Sequence, residues 1–244
     1  MISALRFQRE ESSGAGTSSI SRVGVRAGKM RLSDCAVFFD FDNTITRFDV
    51  IDDVLERFSV DRKWLALEEA WKAGRIGSKE CLEGQLRSVR ATKKEMRRYL
   101  STVPIDPSFS RLVALLKKNK IRPTILSDSF TFFIKEILKN HGIAGVKVYC
   151  NELTFSKSVL SPLFPFANGC ARCAHCKKQH LLDRRWKNKI IVYVGDGLSD
   201  VCPAEHADVV FAKESLLRHC RRNKIPCVEF KDLRDVHHYL RRKV

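Results

Sequence analysis

Residues 35–44 read Cys-Ala-Val-Phe-Phe-Asp-Phe-Asp-Asn-Thr, a short apolar run that ends in two aspartates, Asp40 and Asp42. The run predicts a buried β-strand, and open α/β sheets bind ligands at the carboxyl ends of such strands. Side chains alternate along a strand, so Asp40 and Asp42 point to the same side. Two carboxylates this close repel each other unless a cation or a shared proton holds them. The stretch therefore predicts a metal-assisted carboxylate site, and the alternative is a simple turn, in which aspartate and asparagine are common.

A second predicted strand, residues 121–126, is followed at once by Ser127. Apolar residues at helical spacing begin shortly afterwards, at Phe133. Ser127 would then lie at a strand end, just before a helix N-terminus. A hydroxyl, free backbone N–H groups and the helix dipole favour an anion at such a place. Taken alone, the serine is better explained as a helix cap.

A third predicted strand, residues 189–194, runs into the sequence Gly-Asp-Gly-Leu-Ser-Asp, which contains Asp196 and Asp200. The glycines permit a close approach of the backbone. Asp196 can reach a cation held by the first two aspartates, and Asp200 can hold a basic group or a metal-bound water. Lys177 or Lys178, which precede this strand, could neutralise a phosphate. One lysine is weak support in a chain with 45 lysine and arginine residues.

These motifs, taken in order along the chain, resemble the haloacid dehalogenase superfamily. The resemblance covers about residues 33–230 and is carried by DFDNT at 40–44, Ser127, a lysine and GDGLSD at 195–200. Within the superfamily it is to phosphatases with a helical C1-type cap after the first motif. The nearest branch contains the methionine-salvage 2-hydroxy-3-keto-5-methylthiopentenyl-1-phosphate phosphatase and phosphoethanolamine and phosphocholine phosphatases. Phosphoserine phosphatase is a more distant relative.

The resemblance implies a role for each aspartate of the motifs. Asp40 would be the nucleophile that forms an aspartyl-phosphate, and Asp42 would be the general acid and base. It also implies Mg²⁺ as the cofactor, at a metal site built from Asp40, Asp42 through its backbone carbonyl, Asp196 and Asp200. The expected reaction is the hydrolysis of a phosphomonoester.

The resemblance also implies which residues bind the substrate. Ser127, the N–H groups around Asp128 and a lysine would hold the phosphate, and the lysine of related sequences follows a cysteine, which favours Lys177 over Lys178. Asp49 lies nine residues after Asp40, where phosphoserine phosphatases carry a glutamate that recognises substrate. The shorter acid weakens a phosphoserine assignment, and an acidic cap would suit a cationic headgroup such as choline.

The 244 residues suit one α/β core with a small cap. We expect a doubly wound, Rossmann-like parallel sheet from residues 31–47 and 106–244, with a helical cap inserted at residues 48–105. Residues 1–30 are rich in Ser, Gly and Arg and predict a disordered extension. Met30 is a candidate alternative start, and a transit segment is a further alternative for this extension.

Nine cysteines are scattered along the chain and do not predict a disulfide framework, so we expect a reducing, cytoplasmic location. No apolar run approaches the length of a membrane span. Cys170, Cys173 and Cys176 form a CxxCxxC pattern that could bind zinc, with Cys150 as a fourth ligand. The alternative is a loop of free cysteines that positions Lys177.

The formal net charge of +17 is unusual for a metabolic phosphatase. Such a charge attracts nucleic acid without sequence specificity, or it draws in a phosphorylated substrate. We see no nucleic-acid-binding motif. The leading hypothesis is a Mg²⁺-dependent phosphatase for a small phosphorylated metabolite. The alternative of another class is a basic nucleic-acid-binding protein on a phosphatase scaffold.

Overall fold

A computed structural model describes residues 30–244, and its centre is a seven-stranded sheet. The strands are β1 (Cys35–Phe39), β2 (Thr124–Phe130), β3 (Lys147–Ser156), β4 (Val159–Leu163), β5 (Ile190–Gly195), β6 (Val209–Ala212) and β7 (Val228–Glu229). Their order in the sheet is β4-β3-β2-β1-β5-β6-β7. All neighbouring strands are parallel except β3 and β4, which form an antiparallel pair.

The strands alternate with helices along most of the chain. The helices are α1 (Val50–Phe58), α2 (Trp64–Lys72), α3 (Ser78–Leu86), α4 (Lys93–Leu100), α5 (Ser108–Lys118), α6 (Thr131–Asn140), α7 (Lys177–Leu181), α8 (Val201–Ala204), α9 (Glu214–Arg222) and α10 (Leu233–Arg241). Short 3₁₀ helices occupy Leu32–Asp34, Arg184–Trp186 and Leu198–Asp200. This arrangement confirms the predicted doubly wound α/β core.

The middle of the sheet explains why three distant motifs meet. Every residue of β1 is buried, as expected for a parallel strand covered on both faces. Its last residue, Phe39, pairs with Ile125 of β2 on one side and Val194 of β5 on the other. The carboxyl ends of β1, β2 and β5 therefore lie next to each other, and the polar residues that follow these strands converge at one edge of the sheet.

Residues 48–105 contain helices α1 to α4, and we refer to them as the helical insertion. The chain leaves and re-enters the core at one place, because Thr46 and Ile105 form an antiparallel bridge. The Asp49 side chain caps α1 by accepting the N–H groups of Ile51 and Asp52. We propose that this insertion is the cap of the site described below.

Two details of the strands differ from the sequence prediction. β4 was not predicted, because it is a short edge strand that contains Pro162, a residue that normally argues against a strand. Ser127 lies inside β2 rather than at its end, but the pairing with β3 shifts between Leu126 and Phe130. This irregularity releases Ser127 from regular pairing within the strand.

The predicted disordered extension and the transit segment fall on residues 1–29, which lie outside the described residues. Met30, the last residue of the predicted extension, is 4% exposed and belongs to the hydrophobic core.

Candidate active site

Lys177 is the only buried lysine among residues 30–244, with 2% of its surface exposed. Its Nζ donates hydrogen bonds to Asp40 Oδ1 at 2.6 Å, Asp200 Oδ1 at 2.7 Å and Ser199 Oγ at 2.9 Å. Burial opposes its charge, but the Asp200 and Asp40 carboxylates prevail and raise the pKa of Lys177 well above its usual value. The site therefore holds a permanent cation against Asp40.

The position of Lys177 follows from the short helix α7, which begins at this residue. Successive side chains on a helix point in directions about 100° apart, so its neighbour Lys178 cannot occupy the same place. Within residues 30–244 no carboxylate lies within ion-pair distance of Lys178. The structure thus brings Lys177, and not Lys178, to Asp40.

Asp200 is buried and accepts four hydrogen bonds. Oδ1 accepts from Lys177 and from the Tyr193 hydroxyl at 2.6 Å, while Oδ2 accepts the N–H groups of residues 196–197 at 2.9 and 3.0 Å. A Cβ atom at Gly195 would lie 2.5 Å from Asp200 Oδ2, so glycine is required there. Of the two roles predicted for Asp200, these contacts favour holding the basic group over binding a metal directly.

Asp40, Asp196 and Asp200 form a cluster whose ligand oxygens lie within 4.8 Å of one another. Asp196 Oδ1 accepts a hydrogen bond from Thr44 Oγ1 at 2.7 Å. Burial raises the pKa of Asp40 well above its usual value, and burial followed by Asp200 raises that of Asp196 to about 7. Three carboxylates beside the single ammonium of Lys177 leave two negative charges when all are ionised. This oxygen-only set therefore fits a hard divalent cation such as Mg²⁺.

Asp42 has different surroundings from Asp40, although only one residue separates them. Its Oδ1 accepts the N–H of Val50, the first residue of α1, at 3.0 Å, and its Oδ2 lies 3.5 Å from Ser127 Oγ. Burial, followed by the Asp49 charge, raises the pKa of Asp42 well above its usual value. The two carboxyls therefore differ in their partners: Lys177 contacts Asp40 and favours its ionised form, whereas Asp42 accepts a backbone N–H and a hydroxyl, which suits proton transfer.

Ser127 and Asp128 lie on the β2 side of the same site. Ser127 Oγ accepts the N–H of Ser129 at 3.0 Å. Asp128 Oδ1 and Ser129 Oγ are buried without a hydrogen-bond partner among the described residues. Burial raises the pKa of Asp128 to about 6. Buried polar atoms without partners are costly, so this edge of the site is suited to a polar ligand.

A cavity of about 960 Å³ opens in front of these residues, between the sheet edge and the helical insertion. Six of the eight predicted site residues line it, while Lys177 and Asp200 lie behind its wall. Its volume is typical of a small-molecule site. The lining from the core includes Asp40, Asp42, Ser127, Asp128 and Asp196, and the lining from the insertion includes Asp49, Asp52, Glu68, Trp71 and Gln85.

A family profile described as "Putative Phosphatase" matches residues 35–232, which is most of the chain. The chain belongs to this phosphatase family. Two curated relatives show how far the likeness to the family extends. The 2-hydroxy-3-keto-5-methylthiopentenyl-1-phosphate phosphatase of Geobacillus thermodenitrificans is 31% identical over 84% of this chain and 95% of its own length. The bifunctional enzyme MtnB/MtnX of Bacillus licheniformis is 28% identical over 84% of this chain, which spans about half (48%) of that longer protein.

Solved structures agree with the family assignment at the level of the fold. A phospho-aspartyl intermediate analogue of phosphoserine phosphatase superposes with a TM-score of 0.67 at 18% identity. The superposition covers 85% of the present chain and 99% of the phosphoserine phosphatase chain. A HAD family hydrolase from Salmonella enterica serovar Typhi gives a TM-score of 0.69 at 16% identity, covering 86% and 72% of the two chains. The predicted fold class is confirmed, and the family profile confirms that the chain is a member of a phosphatase family.

Three side chains that the sequence analysis did not assign to the site also support it. Thr44 holds Asp196, and the Tyr193 hydroxyl and Ser199 contact Asp200 and Lys177 respectively. Thr44 could have been found, because it belongs to the DFDNT motif and follows Asp42 by two residues. Tyr193 stands in an apolar strand, where the sequence alone predicts only a core residue.

The predicted alternative of a zinc site is not supported. In the described part of the chain, the carboxylate cluster is the only group of three or more His, Cys, Asp or Glu residues with ligand atoms this close. Cys150, the suggested fourth ligand, instead contacts Thr131 Oγ1 at 3.2 Å. Residues 30–244 also contain no helix with the length and apolar character that crossing a membrane requires.

Proposed function

We propose that this protein is a Mg²⁺-dependent phosphomonoesterase that acts on a small phosphorylated metabolite through an aspartyl-phosphate on Asp40. The observation that carries the proposal is the contact of Asp40 with the buried Lys177, with Asp42 close by in a separate environment. Membership of a phosphatase family supports the reaction class. The cavity in front of Asp40 supports a small-molecule substrate.

In the first step, an Asp40 oxygen attacks the phosphorus in line while the ester bond to the leaving oxygen breaks. Lys177 opposes the effect of burial on Asp40 and so favours its ionised form, and Ser127 with the neighbouring N–H groups binds the phosphoryl oxygens. Asp42 donates its proton to the leaving oxygen. In the second step, Asp42 takes a proton from water, the water oxygen attacks the phosphorus, and Asp40 is released with inorganic phosphate.

Asp40 and Asp196, together with the Asp42 backbone carbonyl, would hold the Mg²⁺ ion. When bound, the ion balances the excess negative charge of the site and of the phosphoryl group. Asp200 supports the site indirectly, because its four hydrogen bonds fix Lys177 and the turn that carries Asp196.

Mg²⁺ is expected to raise the thermal unfolding midpoint of the protein. An ion present at about 100 times its Kd stabilises the folded state by about 2.7 kcal/mol. Asp196→Asn should remove most of this gain, whereas Asp52→Asn, in the same cavity but outside the cluster, should keep it. A gain that survives in Asp196→Asn would argue against the metal assignment.

The rise in the thermal unfolding midpoint caused by Mg²⁺ should also depend on pH, since protons compete with the ion for the carboxylates. Burial raises the pKa of Asp196 from its ordinary value of 3.8 to about 7. Without metal, the stability that this group contributes is present below pH 3.8 and is lost as the pH rises towards 7. The midpoint shift caused by Mg²⁺ should therefore be larger at pH 8 than at pH 5.5.

We propose the methionine-salvage enol phosphate, 2-hydroxy-3-keto-5-methylthiopentenyl-1-phosphate, as the leading substrate, supported by the 31% identity to a phosphatase named for it. The test is phosphate release with Mg²⁺ from a panel that includes this compound, phosphocholine, phosphoethanolamine, phosphoserine and a 5′-phosphorylated oligonucleotide. The proposal expects the highest kcat/KM for the enol phosphate. A higher kcat/KM for another member of the panel would make that compound the proposed substrate and would leave the proposed reaction, phosphomonoester hydrolysis, unchanged.

A cationic phosphomonoester is the second candidate, favoured by the acidic wall that the helical insertion gives the cavity. Asp49, Asp52 and Glu68 line it together with Trp71, whose face can attract a quaternary ammonium. Burial, then Asp49 and Glu68, raises the pKa of Asp52 to about 7, so a ligand cation would relieve repulsion in this wall. Among the described residues of this wall, Glu68 forms an ion pair with Lys72 at 3.0 Å, and Lys72 also acts on Asp49 and Asp52 at longer range.

Asp52→Asn separates these two candidates. If the substrate is cationic, the change should raise KM for phosphocholine by about tenfold, which corresponds to about 1.4 kcal/mol. KM for the enol phosphate, which carries no cationic group, should not change. Equal effects of Asp52→Asn on the two substrates would exclude a specific role of this wall in cation recognition.

The nucleic-acid-binding alternative is tested by the same panel. The cavity rim contains Arg47, Lys213, Arg218 and Arg222, which would suit an anionic ligand. Retention on oligonucleotide that falls steeply with salt, without hydrolysis of any phosphomonoester, would favour this alternative. Hydrolysis of the oligonucleotide 5′-phosphate would instead extend the phosphatase to polynucleotide ends.

A further inference from the structure

Residues 170–176, which we call the cysteine loop, connect the helical insertion to Lys177. The backbone N–H and Oγ of Ser78 both donate to the Arg172 carbonyl, at 2.9 and 3.0 Å. In return, the N–H of Ala174 donates to Ser78 Oγ at 2.8 Å. Three hydrogen bonds thus fix the cysteine loop to the first residue of α3.

The contact between the cysteine loop and the insertion is also sterically tight. A Cβ atom at Gly77 would lie 2.2 Å from the Ala171 carbonyl oxygen. The loop then runs through Cys176, which is buried, directly into Lys177. A change in the shape of residues 171–172 would therefore act on the insertion and on the site lysine together.

Two thiols stand on either side of this contact. Cys170 and Cys173 are both free and partly exposed, with two residues between them, and each thiol influences the pKa of the other. Although burial acts against it, N–H donors from Arg172 and Cys173 and the Cys173 thiol lower the pKa of Cys170. Burial, followed by contact with Cys170, raises the pKa of Cys173. One thiol is thus activated as a nucleophile and the other stays protonated beside it.

We propose that Cys170 and Cys173 form a redox-active dithiol, which a small disulfide such as oxidised glutathione converts to an intramolecular disulfide, and that this conversion inhibits the enzyme. The site of oxidation rests on the spacing and exposure of the two thiols, while the inhibition rests on the proposed phosphatase function.

The exchange proceeds in two balanced steps. The Cys170 thiolate attacks one sulfur of oxidised glutathione, forming a mixed disulfide and releasing one glutathione thiolate. Cys173 then loses its proton, attacks the Cys170 sulfur and releases the second glutathione. Two protein thiols are oxidised and one glutathione disulfide is reduced to two thiols.

Inhibition follows from where the new bond lies. A disulfide requires the two sulfurs to approach to about 2.05 Å, far closer than two separate thiols. The Arg172 carbonyl, which accepts both hydrogen bonds from Ser78, lies between them in the chain. Because a displacement of about 1 Å in a positioning element can cost up to about 100-fold in rate, we expect kcat to fall about tenfold or more.

The test uses the full chain, reduced and then treated with oxidised glutathione. Peptide mass spectrometry should find a Cys170–Cys173 disulfide, phosphate release should fall, and dithiothreitol should restore it. Amide hydrogen exchange at Ser78 and Ala174 should speed up in the oxidised protein, a readout that does not depend on activity. Cys170→Ser should resist inhibition.

Cys227→Ser is the matched control, since Cys227 packs against the cluster that contains Cys220, outside the cysteine loop, and it should respond like the wild type. Finding no Cys170–Cys173 disulfide, or stoichiometric zinc on these thiols in the reduced protein, would overturn the proposal. A complete disulfide with unchanged phosphate release and exchange would overturn the inhibition. A protein that forms the disulfide but never releases phosphate would leave the dithiol standing and reject the phosphatase function.

Discussion

Replacing Asp40 with asparagine is expected to abolish turnover, lowering kcat by about 10⁴-fold or more. Asparagine has the same shape, and its side-chain oxygen can still accept a hydrogen bond from Lys177, which donates to Asp40 at 2.6 Å in the wild type. The amide, however, cannot form the aspartyl-phosphate. The variant should remain folded, because Lys177 keeps its ion pair with Asp200, and should lose turnover, as checked by its thermal unfolding midpoint and by phosphate release.

Asp42→Asn should be less severe, with a loss of about 10²- to 10⁴-fold, because it removes proton transfer and leaves the nucleophile. Asp53→Asn, a change in α1 at a partly buried residue that pairs with Arg57 and does not line the cavity, is the control and should keep wild-type turnover. An Asp40→Asn protein that retained about a tenth of the wild-type kcat would exclude Asp40 as the nucleophile.

Lys177→Met is expected to combine a loss of activity with a large loss of stability. Lys177 is buried and contacts Asp40 and Asp200. Removing one member of a buried ion pair leaves the other charge uncompensated and costs about 3–5 kcal/mol. Lys178→Met makes the same substitution one residue further on, where no carboxylate partner is lost, and should change the free energy of unfolding by about 0.5 kcal/mol or less.

The stability loss of Lys177→Met should depend on pH in a defined direction. Burial already raises the pKa of Asp40 in the wild type, and removing the lysine takes away the charge that opposes this rise. A carboxyl whose folded-state pKa is raised binds more protons in the folded state, so stability falls as the pH rises through that pKa. Urea unfolding should therefore show that Lys177→Met loses more free energy of unfolding, relative to the wild type, at pH 8 than at pH 5. Equal stability of the Lys177→Met and Lys178→Met proteins would refute the assigned ion-pair network.

The core of the site could be predicted because its residues follow apolar runs that can only be buried strands. Asp40 follows β1 and Asp196 follows β5, and adjacent parallel strands bring their carboxyl ends together whatever the rest of the chain does. The same reasoning located Ser127 near Asp42, although the irregular pairing of β2 was not visible in the sequence.

Features that depend on contacts between distant segments could not be predicted. The choice between Lys177 and Lys178 is set by where α7 begins, and the residues themselves give no sharp signal for a five-residue helix, so only the family resemblance favoured Lys177. The contact of Ser78 with the cysteine loop joins residues 94 or more positions apart and has no local pattern. The hydrogen bond of Tyr193 to Asp200 is likewise decided by the packing of a strand against a turn.

The aspartyl-phosphate is the central claim, and trapping it is the most direct test. The Asp42→Asn protein, mixed with substrate and Mg²⁺ and quenched in acid, should accumulate one phosphoryl group per chain, because its intermediate forms but hydrolyses slowly. Peptide mass spectrometry is predicted to place that group on Asp40, and the Asp40→Asn protein should carry none. Phosphate release in a single turnover with no phosphorylated Asp40, or with the phosphoryl group on another residue, would contradict the account.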